Sequence, residues 1–288
     1  MKYAPIALFV YNRPLHTEQT LNALKNAELA NESILYIFLD GPKNDEAKPK
    51  VNEVREIIKR EQWTKEVVII ENGSNFGLSK SILNGINQIF KIYSRIIVLE
   101  DDLIIDNQFL KFINFYLDEF ENDMSVIQIN GYMFGNLAVN NKVNPFLMNF
   151  VSTWGWGTWK DKWQKVSFKK LNLFEKILLM INKNAFNLNN SYDYYTLKLK
   201  KDKGLVQSWG VDLWYYAFKK NKMSVFPPKS LVKNIGFDGS GTNGGSKKEL
   251  TSNDFGKVII TKKENVVHLT IVKQEIEIKL KSNELEFV

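Results

Sequence analysis

The sequence predicts an α/β protein with a mixed, mostly parallel sheet flanked by helices and a small β-rich extension at its C-terminal end. Two observations predict it. Over the first 130 residues, short continuous apolar runs, the pattern of strands buried on both faces, alternate with segments of helical period. Turn residues close the runs: Asn12-Arg13-Pro14, Asp40-Gly41-Pro42 and Asn72-Gly73-Ser74-Asn75.

The elements follow in order. Residues 6–11 read as a first buried strand and 17–27 as a helix; 34–39 is a second strand and 67–71 a third. The next helix carries Ile82, Ile86, Ile89 and Phe90 at offsets of four, seven and eight, which puts them on one face. Residues 96–99 form a fourth strand that runs directly into Glu100-Asp101-Asp102. Phe109, Phe112, Ile113, Tyr116, Leu117 and Phe120 then make one helical stripe, and 125–130 closes this half as a fifth strand. Beyond it, Trp154, Trp156, Trp159 and Trp163 are interleaved with Gly155 and Gly157. Helices are expected over 174–182 and 211–220, and the glycine-rich stretch 236–245 has the length of a functional lid. Ile276, Ile278 and Leu280 alternate with charged neighbours, which predicts a half-exposed strand. The expected organisation is one domain over 1–256, with a nucleotide-binding half (1–130) and an acceptor and lid half (131–256), followed by the extension at 257–288.

Composition narrows the chemistry. With no cysteine, disulfides, thiolate metal sites and cysteine nucleophiles are excluded. Two histidines, His16 and His268, argue against a serine–histidine triad or a multi-histidine zinc site. No apolar run approaches the ~20 residues of a membrane span, and no signal peptide is recognisable. The expectation is a cytoplasmic protein, with peripheral contact at the inner face of the membrane left open. A net charge of +7 suits anionic partners, whether nucleotide diphosphates, nucleic acid or an acidic membrane surface. The site residues favour the nucleotide, and nucleic acid is not expected.

In open α/β sheets, ligands bind beyond the carboxyl ends of the strands. Arg13, Asp40, Asn75 and Glu100-Asp101-Asp102 each follow a predicted strand end, so four segments converge on one rim. Three adjacent carboxylates repel one another unless a cation or donors occupy the site. Oxygen ligands of this kind suit Mn²⁺ or Mg²⁺, which keep some waters and bridge to a diphosphate. Helix capping would account for one of the acids, not for three. Asp40 opens a turn and could accept from a base or ribose, while Arg13 could pair with a nucleotide. Trp154, Trp156 and Trp209, each beside a glycine, could offer ring faces to a sugar acceptor. Asp212, in Trp209-Gly210-Val211-Asp212-Leu213-Trp214, reads either as a helix cap or as a general base.

Together these residues resemble the GT-A glycosyltransferases, most closely the N-acetylglucosaminyltransferase I group and compact bacterial enzymes of surface polysaccharide synthesis. Val10-Tyr11-Asn12-Arg13 looks like that family's first strand and nucleotide-contacting arginine, and Leu39-Asp40 like its uridine-contacting aspartate. Val98 to Leu103 resembles its acidic motif. By that resemblance Glu100 touches the donor sugar, Asp101 the ribose region and Asp102 the metal. Trp154 to Gly157 matches its Gly-Trp segment, and Trp209 to Trp214 its base motif, with Asp212 as the base. Asn234, Gly239 and Ser240 fall in a stretch similar to the loop that closes over the donor. Asn75 stands where the family places a histidine.

The resemblance implies an inverting, metal-dependent transfer from a UDP-sugar or related donor to a hydroxyl of a glycan or lipid-linked acceptor. Three rivals are weaker. A sugar-phosphate nucleotidyltransferase would carry a basic glycine-rich loop where this chain has Tyr11-Asn12-Arg13-Pro14. A carbohydrate-binding module would not need the acidic triplet. A dinucleotide oxidoreductase would show G-x-G-x-x-G after the first strand, and none is present.

Overall fold

The apolar runs pair as strands in a computed structural model that describes residues 3–135, 137–239 and 255–282. The strands are β1 (Ile6–Val10), β2 (Ile34–Leu39), β3 (Glu66–Glu71), β4 (Arg95–Glu100), β5 (Leu103–Ile105), β6 (Val126–Asn130), β7 (Phe146–Met148), β8 (Trp156–Trp159), β9 (Met223–Phe226), β10 (Val232–Asn234) and β11 (Val267–His268). The helices are α1 (Pro14–Lys25), α2 (Lys48–Lys59), α3 (Leu78–Ile89), α4 (Phe109–Glu119), α5 (Lys160–Trp163), α6 (Leu173–Ile181), α7 (Lys183–Phe186), α8 (Tyr194–Asp202), α9 (Gly210–Lys219) and α10 (Thr270–Lys281).

One large sheet runs β11-β7-β9-β6-β8-β4-β1-β2-β3, and β10 pairs separately with β5. The block β4-β1-β2-β3 is parallel throughout, so its carboxyl ends share one edge. Antiparallel β8 lies between β4 and β6 and joins this block to the second half. The sheet is therefore mixed and mostly parallel, as the sequence predicts.

Burial explains the elements. All five residues of β1 are buried, which is why the run is continuously apolar instead of alternating. Pro14 opens α1 at a position where its missing N–H costs nothing. Ile82, Ile86, Ile89 and Phe90 are buried on α3, and the whole predicted stripe of α4 is buried. At Gly85 of α3, a Cβ would lie 2.5 Å from the Phe9 ring, so this helix approaches β1 closely only because glycine stands there. Helix α2 has no counterpart among the predicted elements, although Val51, Val54, Ile57 and Ile58 bury a helical face.

The C-terminal β extension is corrected. Residues 270–281 form α10, not a strand, and only the two-residue β11 precedes it. Val272, Ile276 and Leu280 are buried at four-residue spacing, while Ile278 is 66% exposed. The apolar alternation at 276–280 fits two periods, and the packing of one helical face decides between them.

Candidate active site

The acidic triplet lies at the end of β4, beside the end of β1, where Phe9 pairs with Glu100. The loop after β1 holds it. The Tyr11 backbone N–H donates to Asp101 Oδ2 at 3.3 Å, and Thr20 Oγ1 of α1 donates to the Asp101 carbonyl at 2.9 Å. Arg13 Nη1 donates to Asp102 Oδ2 at 2.8 Å and lies 3.6 Å from Asp101 Oδ1. The acids do not cap the following helix, because β5 intervenes and α4 begins only at Phe109.

Three carboxyls thus gather around one guanidinium, and the ionisation of two of them, Glu100 and Asp101, reflects it. Burial, then Asp102 and Asp101, push Glu100 well above the usual carboxylate range. Asp101 is pushed up to about 7 by burial and Asp102, against the pull of Arg13. Burial works to lower the Arg13 pKa, but Asp101 and Asp102 outweigh it and the net shift is upward. Two further Arg13 nitrogens, Nε and Nη2, are buried without a hydrogen-bond partner. Orphaned charged donors inside a protein are costly, and their usual explanation is a ligand or ordered water.

A segment from the second half covers this pair. β10 runs antiparallel to β5, setting Asn234 opposite Leu103, and the Ile235 N–H donates to the Asp102 carbonyl at 2.9 Å. Asn234 Oδ1 accepts from the Gly236 N–H at 2.7 Å, which fixes the turn. A Cβ at residue 236 would overlap Asp102 Oδ2 and lie 2.7 Å from Arg13 Nη2, so only glycine rests on the ion pair. Asp238 Oδ2 reaches His16 Nε2 at 3.2 Å, and the Phe237 ring packs 5.5 Å from Trp154. Gly239 ends this run with φ +87°, a conformation that favours glycine. Ser240 and the rest of the glycine-rich stretch to Gly245 lie outside the described residues.

Asp40 and Asn75 meet on the same edge, past β2 and β3, but in a different role from the one expected. Asp40 Oδ1 and Oδ2 accept from the backbone of Phe76 at 2.9 and 3.1 Å, and Oδ2 from Gly77 at 2.9 Å. They also accept from Asn72 Nδ2 at 3.3 Å and Asn75 Nδ2 at 3.0 Å. Those bonds use the roughly four lone-pair sites of a carboxylate on the 72–77 loop. Asp40 is a tie for the 72–77 loop, and Asn75 is one of its partners.

The tryptophans separate. Trp156 is fully buried and stacks on Trp163 and Trp209 at 5.6 and 5.5 Å; Trp209 is 5% exposed. Both are core residues with no ring face open to a sugar. Trp154 alone of the three lines a pocket of about 130 Å³, together with Tyr132, Ser152, Thr153, Tyr192 and Tyr194. The Tyr132 hydroxyl is buried without a partner, and so are both amide atoms of Asn130, two residues earlier. Apart from Trp154, these pocket residues belong to none of the motifs named above. The aromatic cluster Tyr192-Asp193-Tyr194-Tyr195 was the available signal.

Asp212 does not line this pocket. Gly210, Val211 and Trp214 line the pocket, whereas Asp212, about 100° round the helix from Val211, turns the other way. It is fully buried, 3.1 Å from Lys198 Nζ and 2.5 Å from Lys201 Nζ on α8. These are ion pairs whose angles fall outside hydrogen-bond geometry. Burial raises the Asp212 pKa and the two lysines pull it back. Lys198 also pairs with Asp202 at 2.5 Å, and Asp202 accepts from the Leu171 N–H. The group is a buried charge network that joins α8 to α9.

No protein-family model matches the chain, and no curated protein matches it. Among solved structures, it is similar to residues 1–349 of S. aureus TarS, at 14% identity and a TM-score of 0.37, over 57% of this chain and 50% of that one. A second TarS structure gives 18% identity and a TM-score of 0.28, over 41% of this chain and 20% of that one. The galactosyltransferase LgtC, in complex with donor and acceptor sugar analogues, gives 7% identity and a TM-score of 0.36, over 77% and 72%. The chain thus spans half or less of the TarS chains it matches. Likenesses this distant leave the function to be argued from the site.

Proposed function

We propose that this chain is a glycosyltransferase of the GT-A type. In this reading it moves a sugar from a nucleotide-diphosphate donor, a UDP-sugar by the resemblance, to a hydroxyl of a glycan or lipid-linked acceptor. One observation carries the reading: an acid-rich rim and two orphaned Arg13 donors share one buried site, closed by a glycine that rests on both. A diphosphate with its metal ion has the matching pattern, with phosphate oxygens for the arginine and a cation for the carboxylates.

The residues fit Mg²⁺ or Mn²⁺ in donor type and charge, since three oxygen acids are offset by a single arginine. Among the described residues no group of three or more acids or histidines is arranged to enclose a metal. The ion would therefore take Asp102 from the protein and complete its shell with water and diphosphate, as Mg²⁺ commonly does. When bound, it would supply charge stabilisation for the departing nucleotide diphosphate. Arg13 would grip the phosphates, and the 234–239 segment would exclude water.

The pocket beside Trp154 would receive the acceptor. Its aromatic walls and the Tyr132 hydroxyl suit a polar ring with apolar faces. This reading is supported by the run of contacts Asp102–Gly236–Phe237–Trp154, which links the acidic rim to the pocket. The acceptor oxygen would attack the anomeric carbon, with inversion, as that carbon's bond to the diphosphate breaks, and its proton would pass to solvent or to the departing phosphate while Asp212 stays paired with its two lysines.

The test is calorimetry with a panel of nucleotide sugars, with and without Mn²⁺, followed by NMR of the product anomer. Donor binding that requires the ion is the expected result. Binding of free glycans with no response to any nucleotide sugar would instead identify a carbohydrate-binding module.

A further inference from the structure

Helix α6 is the exception to the burial pattern of the fold. Of its nine residues, Leu173, Phe174, Ile177, Leu178, Met180 and Ile181 are 40–75% exposed, and only Leu179 is buried. Six large apolar side chains on one solvent-facing helix form the kind of contiguous patch that marks an interaction surface. The helix is nonetheless firmly made. Asn172 and Glu175 form a reciprocal capping box at 2.9 and 3.1 Å, and Glu175 is also tied to Lys219 at 2.8 Å.

Charge says what covers it. Between residues 165 and 183 there are five lysines, Lys165, Lys169, Lys170, Lys176 and Lys183, all exposed, against the single acid Glu175. An apolar helical face with a lysine fringe is the pattern of a helix lying in the interface of an anionic bilayer. No helix among the described residues is long and apolar enough to cross a membrane, so contact of this kind would be peripheral.

We propose that α6 docks the protein on an anionic lipid surface, its apolar side chains entering the headgroup boundary and its lysines meeting lipid phosphates. In the chain, α7 connects α6 to α8, whose Tyr194 and Leu197 line the pocket. The docking itself does not depend on the proposed reaction.

The test is co-sedimentation of the full chain with vesicles of phosphatidylcholine alone and of phosphatidylcholine mixed with phosphatidylglycerol. Binding should favour the anionic vesicles and weaken with salt. The double variant Phe174→Glu/Ile181→Glu should lose about tenfold or more of that binding while unfolding at an unchanged temperature, since both side chains are exposed. Lys169→Glu/Lys170→Glu should abolish the preference for anionic lipid. Equal binding by the Phe174/Ile181 variant, or no preference of the wild type for anionic vesicles, overturns the proposal. So does a wild-type dimer in sedimentation that the same variant converts to monomer, because the face would then belong to a second copy. Nucleotide-sugar binding by the variants reports separately on the proposed reaction.

Discussion

Arg13 and Asp102 meet at 2.8 Å although 89 residues separate them, and this one ion pair joins the loop after β1 to the loop after β4. Gly236 lies against both partners, so three distant segments share a single contact. The pair leaves charge of both signs unsatisfied. Among the described residues, Arg13 is the cation that acts on Asp101 and Glu100, and it keeps two buried donors without acceptors.

Asp102→Asn should lower the proposed glycosyl transfer by about 10²-fold or more, the scale of losing one electrostatic contact in a transition state. Initial rates at saturating Mn²⁺ measure it. Near-full turnover would remove Asp102 from the chemistry.

Asp40→Asn should destabilise the fold by about 1–3 kcal/mol, because an amide nitrogen would face the Phe76 and Gly77 N–H groups that the carboxylate now satisfies. Urea unfolding reads the loss. If stability held while donor affinity collapsed, Asp40 would contact the nucleotide directly, as the sequence suggests.

Asp212→Asn should cost about 1–3 kcal/mol of stability, since Lys201 would lose its counter-charge while Lys198 keeps Asp202, and burial of Asp212 already offsets part of the pairing. The rate per folded molecule should stay within a few-fold of wild type. A collapse of that rate with unchanged unfolding would restore Asp212 as the base.

Asp123 gives the fold an acid dependence. Burial pushes its carboxyl up, but Lys263 and the hydroxyl and N–H of Ser125 outweigh this and bring it down to about 2. A depressed folded-state pKa stabilises above the unfolded value near 3.8, and that contribution is lost as pH falls towards 2. The stability gap between wild type and Asp123→Asn should be about 2 kcal/mol at pH 5 and close between pH 4 and 2. Urea midpoints across that range measure it. A gap independent of pH would assign the effect to something other than ionisation.

The sequence by itself determined the parallel half of the fold and the edge on which the site lies. Apolar runs such as 34–39 and 96–99 have one physical solution, burial on both faces, and the polar residues that end them must then gather at the carboxyl edge. Tertiary structure decided what each of those residues does. Asp40 and Asp212 are the same residue type as Asp102 and follow equally legible turns and helix starts, yet one is held by loop N–H groups and the other by two lysines. Trp156 and Trp154 differ by two positions, but one stacks in the core and the other lines the pocket. Local spacing carries element type, because periodicity is a property of neighbouring residues. Roles depend on which donors and cations arrive from segments tens of residues away, and only the folded chain brings those together.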